Sequence, residues 1–525
     1  MKDRLKKSSL LFEIIPLFFG IFLFFLIRLP VLQSIPVYLD EAVYINWAFL
    51  FKQDHGLAYA SMQDGKTPLY FWIVANFLNY IKNPLIAARL VSVLSGAGTL
   101  ITIWLLARFL FGKKTALLSV FLYLLIPYSQ FIERMAFADS LLVFWGTLAV
   151  TISFIITETR EKTGNFFAKI IGGIITGAFL GLAFLTKSSA KIYLVSVFLI
   201  IFFNSIKQLK RPKKIFSILI FGALTGLVYH EIVNALRVGA SRFFLNISTK
   251  EKLLTFSPKE ILQNLFSLTY INNFSIVLDY LTTYLKLPLL LIMIYGVYKI
   301  LKEKRLKTFL IVLVTSVIFS AIFFSSKIPA SRYFFPIVPF VAIIGSYGFL
   351  KICSLVKGKY LFLSITLFIL IVIAPFIKLN LEIILNPKRA GLAYEDRHYL
   401  LESDLSGIGV EETIQILEKS LKNRDTVLIV DSFWGQPDYI EVAIKSKPLK
   451  NRFLLKKQSD NYLSQEIKNL AKTADVFFFF LNGNNHPEQF SLGKEAILIK
   501  SFSRLPLKTG ETRYTYLYKF NNPDQ

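Results

Sequence analysis

The chain is poor in the residues on which disulfide cross-linking and metal chemistry depend. One cysteine, Cys353, in 525 residues excludes an internal disulfide and any cysteine-based metal cluster. The four histidines, His55, His230, His398 and His486, form no His-Glu-x-x-His pattern. His230, in Tyr229-His230-Glu231, could supply a metal ligand, but a lone histidine at a membrane edge is more often a packed interface residue. There is no serine nucleophile elbow, Gly-Ser linker or solenoid repeat, and the C-terminal stretch from about 380 shows no phosphate loop, dinucleotide fingerprint or metal-ligand spacing. Acidic residues are also scarce, 34 against 60 lysines and arginines, for a formal charge of +26. In a soluble chain that excess would suggest nucleic acid. Here the basic residues lie mostly beside apolar blocks, so anionic lipid headgroups and membrane topology account for them, and no nucleic-acid partner is expected.

What the chain has in abundance is apolar length. It is 54% hydrophobic with 51 phenylalanines, and its mean hydropathy is +0.54. Blocks of about 18–22 apolar residues recur, each long enough to cross a hydrocarbon core of roughly 30 Å. They predict about eleven spans, near 10–30, 86–109, 115–132, 138–157, 169–186, 188–204, 215–233, 276–298, 308–325, 333–351 and 360–378. The first follows Lys2, Arg4, Lys6 and Lys7 and is too long for a signal-peptide core, so it reads as a retained helix with a cytoplasmic N-terminus. The inside loops then carry Arg108/Lys113/Lys114, Arg160/Lys162, Lys207 to Lys214, Lys302 to Lys307 and Lys357/Lys359. Every one is basic, as the positive-inside rule requires.

The first outside loop, 31–85, is long and aromatic. Tyr38 to Trp47 and Leu69 to Tyr80 read as amphipathic segments lying along the membrane surface. Asp40 and Glu41 sit together among apolar residues, where a carboxylate at a span centre costs roughly 2.5–3.5 kcal/mol and less near the interface. On a helix, Asp40, Val43, Tyr44 and Trp47 share one face while Glu41 is turned about 100° away. One acid can face a cavity and the other a partner. A solvated pair at a helix N-terminus is the ordinary alternative.

Other charges cluster at the same edge. Asp64-Gly65-Lys66-Thr67-Pro68 sets a lysine on a turn, a compact cation suited to a phosphate oxygen or a snorkelling interface residue. Glu133-Arg134-Met-Ala-Phe-Ala-Asp139 keeps Arg134 and Asp139 near the surface, where they can also pair structurally. Lys327 to Pro336 presents Arg332, able to bind phosphate bidentately, with Tyr333 as an interfacial donor, or else an aromatic-belt anchor.

After Lys378 the hydropathy drops, dividing a membrane domain, 1–378, from an extracytoplasmic α/β domain, 379–525. Helical spacing covers Glu411 to Leu421. Strand signals cover Thr426 to Asp431, leading into a Trp434-Gly435-Gln436-Pro437 turn, then Ala474 to Leu481 and Ala496 to Lys500. Arg513 to Tyr518 alternates as an edge strand does.

Carboxylates and cations gathered at one face suit transfer of a sugar carried on a lipid phosphate. A base takes the acceptor's proton and cations stabilise the departing lipid phosphate, with no nucleotide site required. A transporter or flippase of lipid-linked sugars would instead show paired ionisable residues or broken helices near the midplane. A non-catalytic cell-envelope assembly protein would tolerate substitution of Asp40.

The ordered motifs resemble those of the GT-C glycosyltransferases, in the branch of protein O-mannosyltransferases and the lipid A aminoarabinose transferase. The resemblance is carried by Arg28-Leu-Pro, Leu39-Asp40-Glu41-Ala-Val-Tyr44, Gly65-Lys66-Thr-Pro-Leu-Tyr-Phe-Trp72, Ala88-Arg89-Leu90, Leu106 to Gly112 and Arg134 to Asp139, and more loosely by Lys327 to Pro336. It implies a GT-C-like helical membrane fold and transfer from a polyprenyl-phosphate-linked sugar to a protein, lipid or glycan acceptor outside the cytoplasm. It also implies Asp40 as base with Glu41 beside it, Asp139 as a second acid, and Lys66 on the donor phosphate. Arg134, Arg332, Tyr333 and Tyr44 complete the expected substrate-binding set. The aminoarabinose branch has an acid directly before the lysine and two prolines after it. Here Gly65 and Thr67-Pro68 stand there, and Asp64 is one place further back. No metal ligand set is expected, and a divalent ion is the one cofactor left open.

Overall fold

The computed structural model describes residues 2–158, 165–264, 267–403, 405–420, 425–431, 436–445, 453–458, 465–480 and 496–520. Arg160/Lys162, the Trp434-Gly435 part of the expected turn, Leu481 and His486 lie outside the described residues.

The apolar blocks fold as helices. The first helices are α1 (Lys2–Arg28), α2 (Leu39–Gln53), α3 (Leu69–Phe77), α4 (Pro84–Phe111), α5 (Lys113–Leu125) and α6 (Pro127–Glu133). They are followed by α7 (Ala138–Glu158), α8 (Asn165–Thr186), α9 (Lys191–Lys207), α10 (Pro212–Gly239) and α11 (Phe244–Leu254). Eight helices among the described residues are long and apolar enough to cross a membrane, and two bent pairs raise the number to 10. The apolar part of α1, Ile14–Arg28, is shorter. This is a multi-pass membrane protein.

Two of the expected spans, 115–132 and 276–298, fall on bent helix pairs. Helices α5 and α6 meet at 59°, and Leu268–Tyr284 meets Leu287–Glu303 at 99°, inside the second of these blocks. Each break has a proline just past it, Pro127 and Pro288. Proline offers no N–H to the preceding turn, and before Pro127 the backbone of Ile126 leaves the helical region, with ψ of 119°. Lys286, at the sharper bend, has φ of 60°.

Close packing comes from glycines. A Cβ at Gly173 would lie 2.8 Å from the Phe221 carbonyl oxygen, and one at Gly177 would lie 2.6 Å from that of Thr225. One face of α8 thus meets the backbone of α10. Without a hydrophobic driving force between helices in lipid, such close van der Waals approach is what holds them.

The chain divides into two compact units. The first comprises 1–32, 56–73 and 89–385; the second comprises 33–55, 74–88 and 386–525. The second unit holds a five-stranded sheet of β1 (Asp425–Asp431), β2 (Phe453–Gln458), β3 (Ala474–Phe480), β4 (Ala496–Ser503) and β5 (Tyr514–Phe520). Its order is β2-β1-β3-β5-β4, with β1 parallel to β2 and β3, and β5 antiparallel to β3 and β4. The expectation of an edge strand at Arg513 to Tyr518 is therefore corrected, since β5 is internal. Val427, Val476, Phe478 and Phe520 pack on Ala471 of the helix Gln465–Thr473 to form this unit's core. Helix α2 packs within the same unit against Gln436–Lys445, where Asn46 Nδ2 donates to Asp438 and, at 3.3 Å, to Glu441 Oε2.

Candidate active site

In the second unit the acidic pair stands in the first turn of α2. Tyr38, with extended φ and ψ of −94° and 151°, precedes the helix. Its backbone N–H donates to Glu41 Oε2 at 2.9 Å, so this buried carboxylate satisfies one of the donors that a helix start leaves open. The approach to the helix is held by an antiparallel bridge of Tyr38 with Ser406, and Gly407 N–H donates to Val37 O at 2.9 Å. Asp40, Val43 and Trp47 are half-buried, at the three- and four-residue spacing of one helix face, and Tyr44 stacks on Trp47 with ring centroids 5.9 Å apart. Tyr439 is fully buried and its hydroxyl donates to Leu405 O. Burial holds that hydroxyl well above the usual phenol range, and the charges of Tyr38 and Asp40 add to the shift.

In the first unit Lys66 follows a tight turn. The 3₁₀ segment Ala60–Asp64 ends at Gly65, whose φ is 68°. A Cβ there would also sit 2.7 Å from Lys250 Cβ on α11, so both backbone conformation and space call for glycine. Ser61 Oγ donates to Lys66 O at 2.8 Å, and Lys66 N–H donates to Ser61 O at 3.2 Å. Asp64 joins two lysines, accepting from Lys250 Nζ at 2.7 Å and lying 3.6 Å from Lys66 Nζ. Lys250, absent from the expected set, brings a second cation to this turn.

Asp139 opens α7 and is 2% exposed. Lys187, in the turn between α8 and α9, donates to its Oδ1 at 2.6 Å and lies 4.6 Å from the centre of the Tyr333 ring. The Arg332 guanidinium lies 4.9 Å from the Phe137 ring and 5.5 Å from that of Tyr333. Tyr128 donates to Ser331 O at 2.6 Å, which fixes this segment against α6. Asp139 and Tyr333 are thereby brought together at Lys187, which sequence reasoning treated only as a turn, with Arg332 beside the Tyr333 and Phe137 rings. A lysine in a turn too short to leave the membrane surface was the available signal.

Arg134 is fully buried. It donates to the carbonyls of Arg28, Pro30 and Val31, each at 2.8 Å. Arg28 donates to Glu133 Oε2 at 3.0 Å, Leu124 O at 2.7 Å and Ser129 Oγ at 3.0 Å, while Arg89 donates to Leu32 O. Burial, and then the neighbouring Arg89 and Arg28, push the Arg134 guanidinium down to about 10, so it stays charged at neutral pH. These arginines fix the path by which the chain leaves α1. No three histidine, cysteine or carboxylate side chains among the described residues group closely enough to hold a metal ion.

Residues 65–230 match the family model described as dolichyl-phosphate-mannose-protein mannosyltransferase. No curated protein sequence matches the chain. Among solved structures, ArnT from Cupriavidus metallidurans in the apo state aligns with a TM-score of 0.57 and 11% identity, over 98% of each chain. ArnT bound to undecaprenyl phosphate aligns at 0.56 and 10%, over 96% of this chain and 97% of that one. The apo oligosaccharyltransferase of Archaeoglobus fulgidus aligns at 0.51 and 11%, over 96% of this chain and 74% of that one. The chain has the fold of the GT-C membrane glycosyltransferases.

Proposed function

We propose that the protein is a membrane glycosyltransferase that moves a sugar from a polyprenyl-phosphate-linked donor to a protein, lipid or glycan acceptor on the extracytoplasmic side. The observation that carries this reading is the mannosyltransferase family match over 65–230, the stretch that holds Lys66, Arg134, Asp139 and Lys187. The fold shared with ArnT, which has been crystallised with undecaprenyl phosphate, supports the choice of donor.

In the proposed step the Asp40 carboxylate accepts the proton of the acceptor hydroxyl or amine. The acceptor atom forms a bond to the anomeric carbon as the bond to the lipid phosphate breaks, and the electron pair leaves on the phosphate oxygen. A single displacement of this kind inverts the anomeric centre. Lys66 binds the phosphate as a point charge, Arg332 and Tyr333 support it, and Tyr44 lines the acceptor side. Asp139, paired to Lys187, is the second acid. Arg134 positions the outer segment after α1. The N-terminus is cytoplasmic in this scheme, and no metal or other cofactor enters it.

The experiment is transfer from a panel of polyprenyl-phosphate sugars by the purified protein in lipid. Asp40→Asn keeps size and shape but cannot take the proton, so turnover falls by about 10²–10⁴-fold while donor still binds. Near-wild-type turnover in Asp40→Asn would remove the base assignment. Absence of transfer from every donor in the panel would remove the reading.

A further inference from the structure

Within the second unit, a cavity of about 580 Å³ opens beside the C-terminal end of α2, and its chemistry has no part in the transfer reaction. Lys52, Lys82 and Lys445 line it, against one carboxylate, Glu441. That carboxylate is already used: Lys445 Nζ lies 2.8 Å from Glu441 Oε1, donates to Asn46 Oδ1 at 3.2 Å and sits 4.7 Å from the Phe49 ring centre. Among the described residues, the other two lysines are paired with no anion. Lys52 donates to the Leu78 carbonyl at 2.7 Å, and Lys82 has no hydrogen-bond or ion-pair partner among the described residues. Phe49, Leu78 and Ile444 give the same cavity an apolar wall.

We propose that this cavity binds the anionic, phosphate-bearing headgroup of an amphiphile, with Lys52 and Lys82 on the phosphate and the apolar wall against the adjoining chain. A cavity that collects surplus positive charge selects an anion, and ammonium groups suit phosphate oxygens as point charges. The apolar wall argues for an amphiphile over a free ion. The local sequence argues the same way. Lys82 lies two residues before Pro84, which opens a membrane-length helix, and Tyr80, 81% exposed, is the kind of aromatic that settles at the headgroup level. The site stands whether or not the protein transfers sugar, because none of these residues takes part in that step.

The test uses the full chain in neutral detergent, with a fluorophore on Gln53→Cys in a Cys353→Ser background. It is titrated with dihexanoyl phosphatidylglycerol, with the zwitterionic dihexanoyl phosphatidylcholine and with inorganic phosphate. Saturable binding of the anionic lipid is expected, tighter than either of the others. Lys52→Gln with Lys82→Gln weakens it by roughly thirty-fold, about five-fold for each lysine near an anionic headgroup. Lys52→Arg with Lys82→Arg restores most of it. Equal binding of phosphatidylcholine, or no effect of the glutamine pair, overturns the charge recognition. Inorganic phosphate binding as tightly as the lipid overturns the amphiphile assignment, and absence of saturable binding overturns the site.

Discussion

Lys187 holds Asp139 by a 2.6 Å contact between ammonium and Oδ1, so the acid at the start of α7 is one half of an ion pair. The two partners are unequally placed, with Asp139 2% exposed at its side chain and Lys187 26%. Removing the lysine strands a buried carboxylate, whereas removing the acid leaves a cation that can reach water. Breaking a buried pair costs about 3–5 kcal/mol, and partial exposure of one partner moves this pair toward the lower end. Lys187→Met is therefore expected to lower the unfolding temperature more than Asp139→Asn, and the double variant to recover part of the loss. Equal destabilisation by the two single changes would mean that losing the lysine strands no buried charge, and a double variant no more stable than the sum of the single losses predicts would mean that the pair does not stabilise this turn.

The clasp of Arg134 makes a second prediction. Val31 has φ of 50°, a backbone conformation that costs a β-branched residue of order 1–3 kcal/mol. Three bonds from Arg134 to Arg28 O, Pro30 O and Val31 O hold it there. Val31→Gly is expected to raise stability by up to about 1 kcal/mol. Arg134→Lys cannot span three carbonyls and is expected to cost at least about 2 kcal/mol, since bonds to charged groups contribute about 1.5–3 kcal/mol each. Thermal unfolding of the purified variants reads both. A stable Arg134→Lys would mean that the carbonyl clasp is dispensable.

The membrane spans were legible because apolar length is a local property, and each expected block falls on helical structure. The breaks were less so. Pro127 and Pro288 were visible, but a hydropathy average does not register one missing N–H. The alternation in β5 was legible as strand and misleading as to place, because polar residues alternate wherever one sheet face meets water, at an edge or inside. β2, with Lys456 and Lys457 in its short run, gave too little apolar signal. In the candidate site, the acidic and basic motifs were found from sequence while the partners that bind them were not. Lys187 comes to Asp139 from 48 residues away, and Lys250 comes to Asp64 from 186. Such pairing belongs to tertiary structure.

Tyr439 gives a pH dependence with a defined sign. Burial holds its hydroxyl neutral in the folded state, while an unfolded tyrosine ionises near pH 10. A folded-state value raised above the unfolded one gives stability that is fully present below about pH 10 and lost as pH rises toward the folded value. Tyr439→Phe removes this loss but leaves the Leu405 carbonyl without its donor, at about 1 kcal/mol. At pH 8 the variant should melt below the wild type, and the gap should close between pH 10 and 11. The other tyrosines cancel in the difference. A gap constant across that range would mean that Tyr439 titrates as an ordinary phenol.

Asp40 and Glu41 are neighbours in sequence with different surroundings, and their substitutions should separate. Glu41 is fully buried and accepts the Tyr38 N–H at 2.9 Å, so its carboxylate closes the helix that carries Asp40. Glu41→Gln keeps an acceptor oxygen at nearly the same place, and it should cost about 1 kcal/mol in stability and little in turnover. Glu41→Ala leaves the Tyr38 N–H without this acceptor in a buried setting. That should cost about 1–3 kcal/mol and, by loosening the first turn, should lower turnover in step with stability. Asp40, half-buried on the face of Val43 and Trp47, should behave in the opposite way. Asp40→Asn is expected to melt near the wild type and to lose about 10²–10⁴-fold in turnover. The measurement is paired, unfolding temperature and transfer rate on the same preparations. Loss of turnover in Glu41→Gln at unchanged stability, with Asp40→Asn still active, would move the proton acceptor to Glu41.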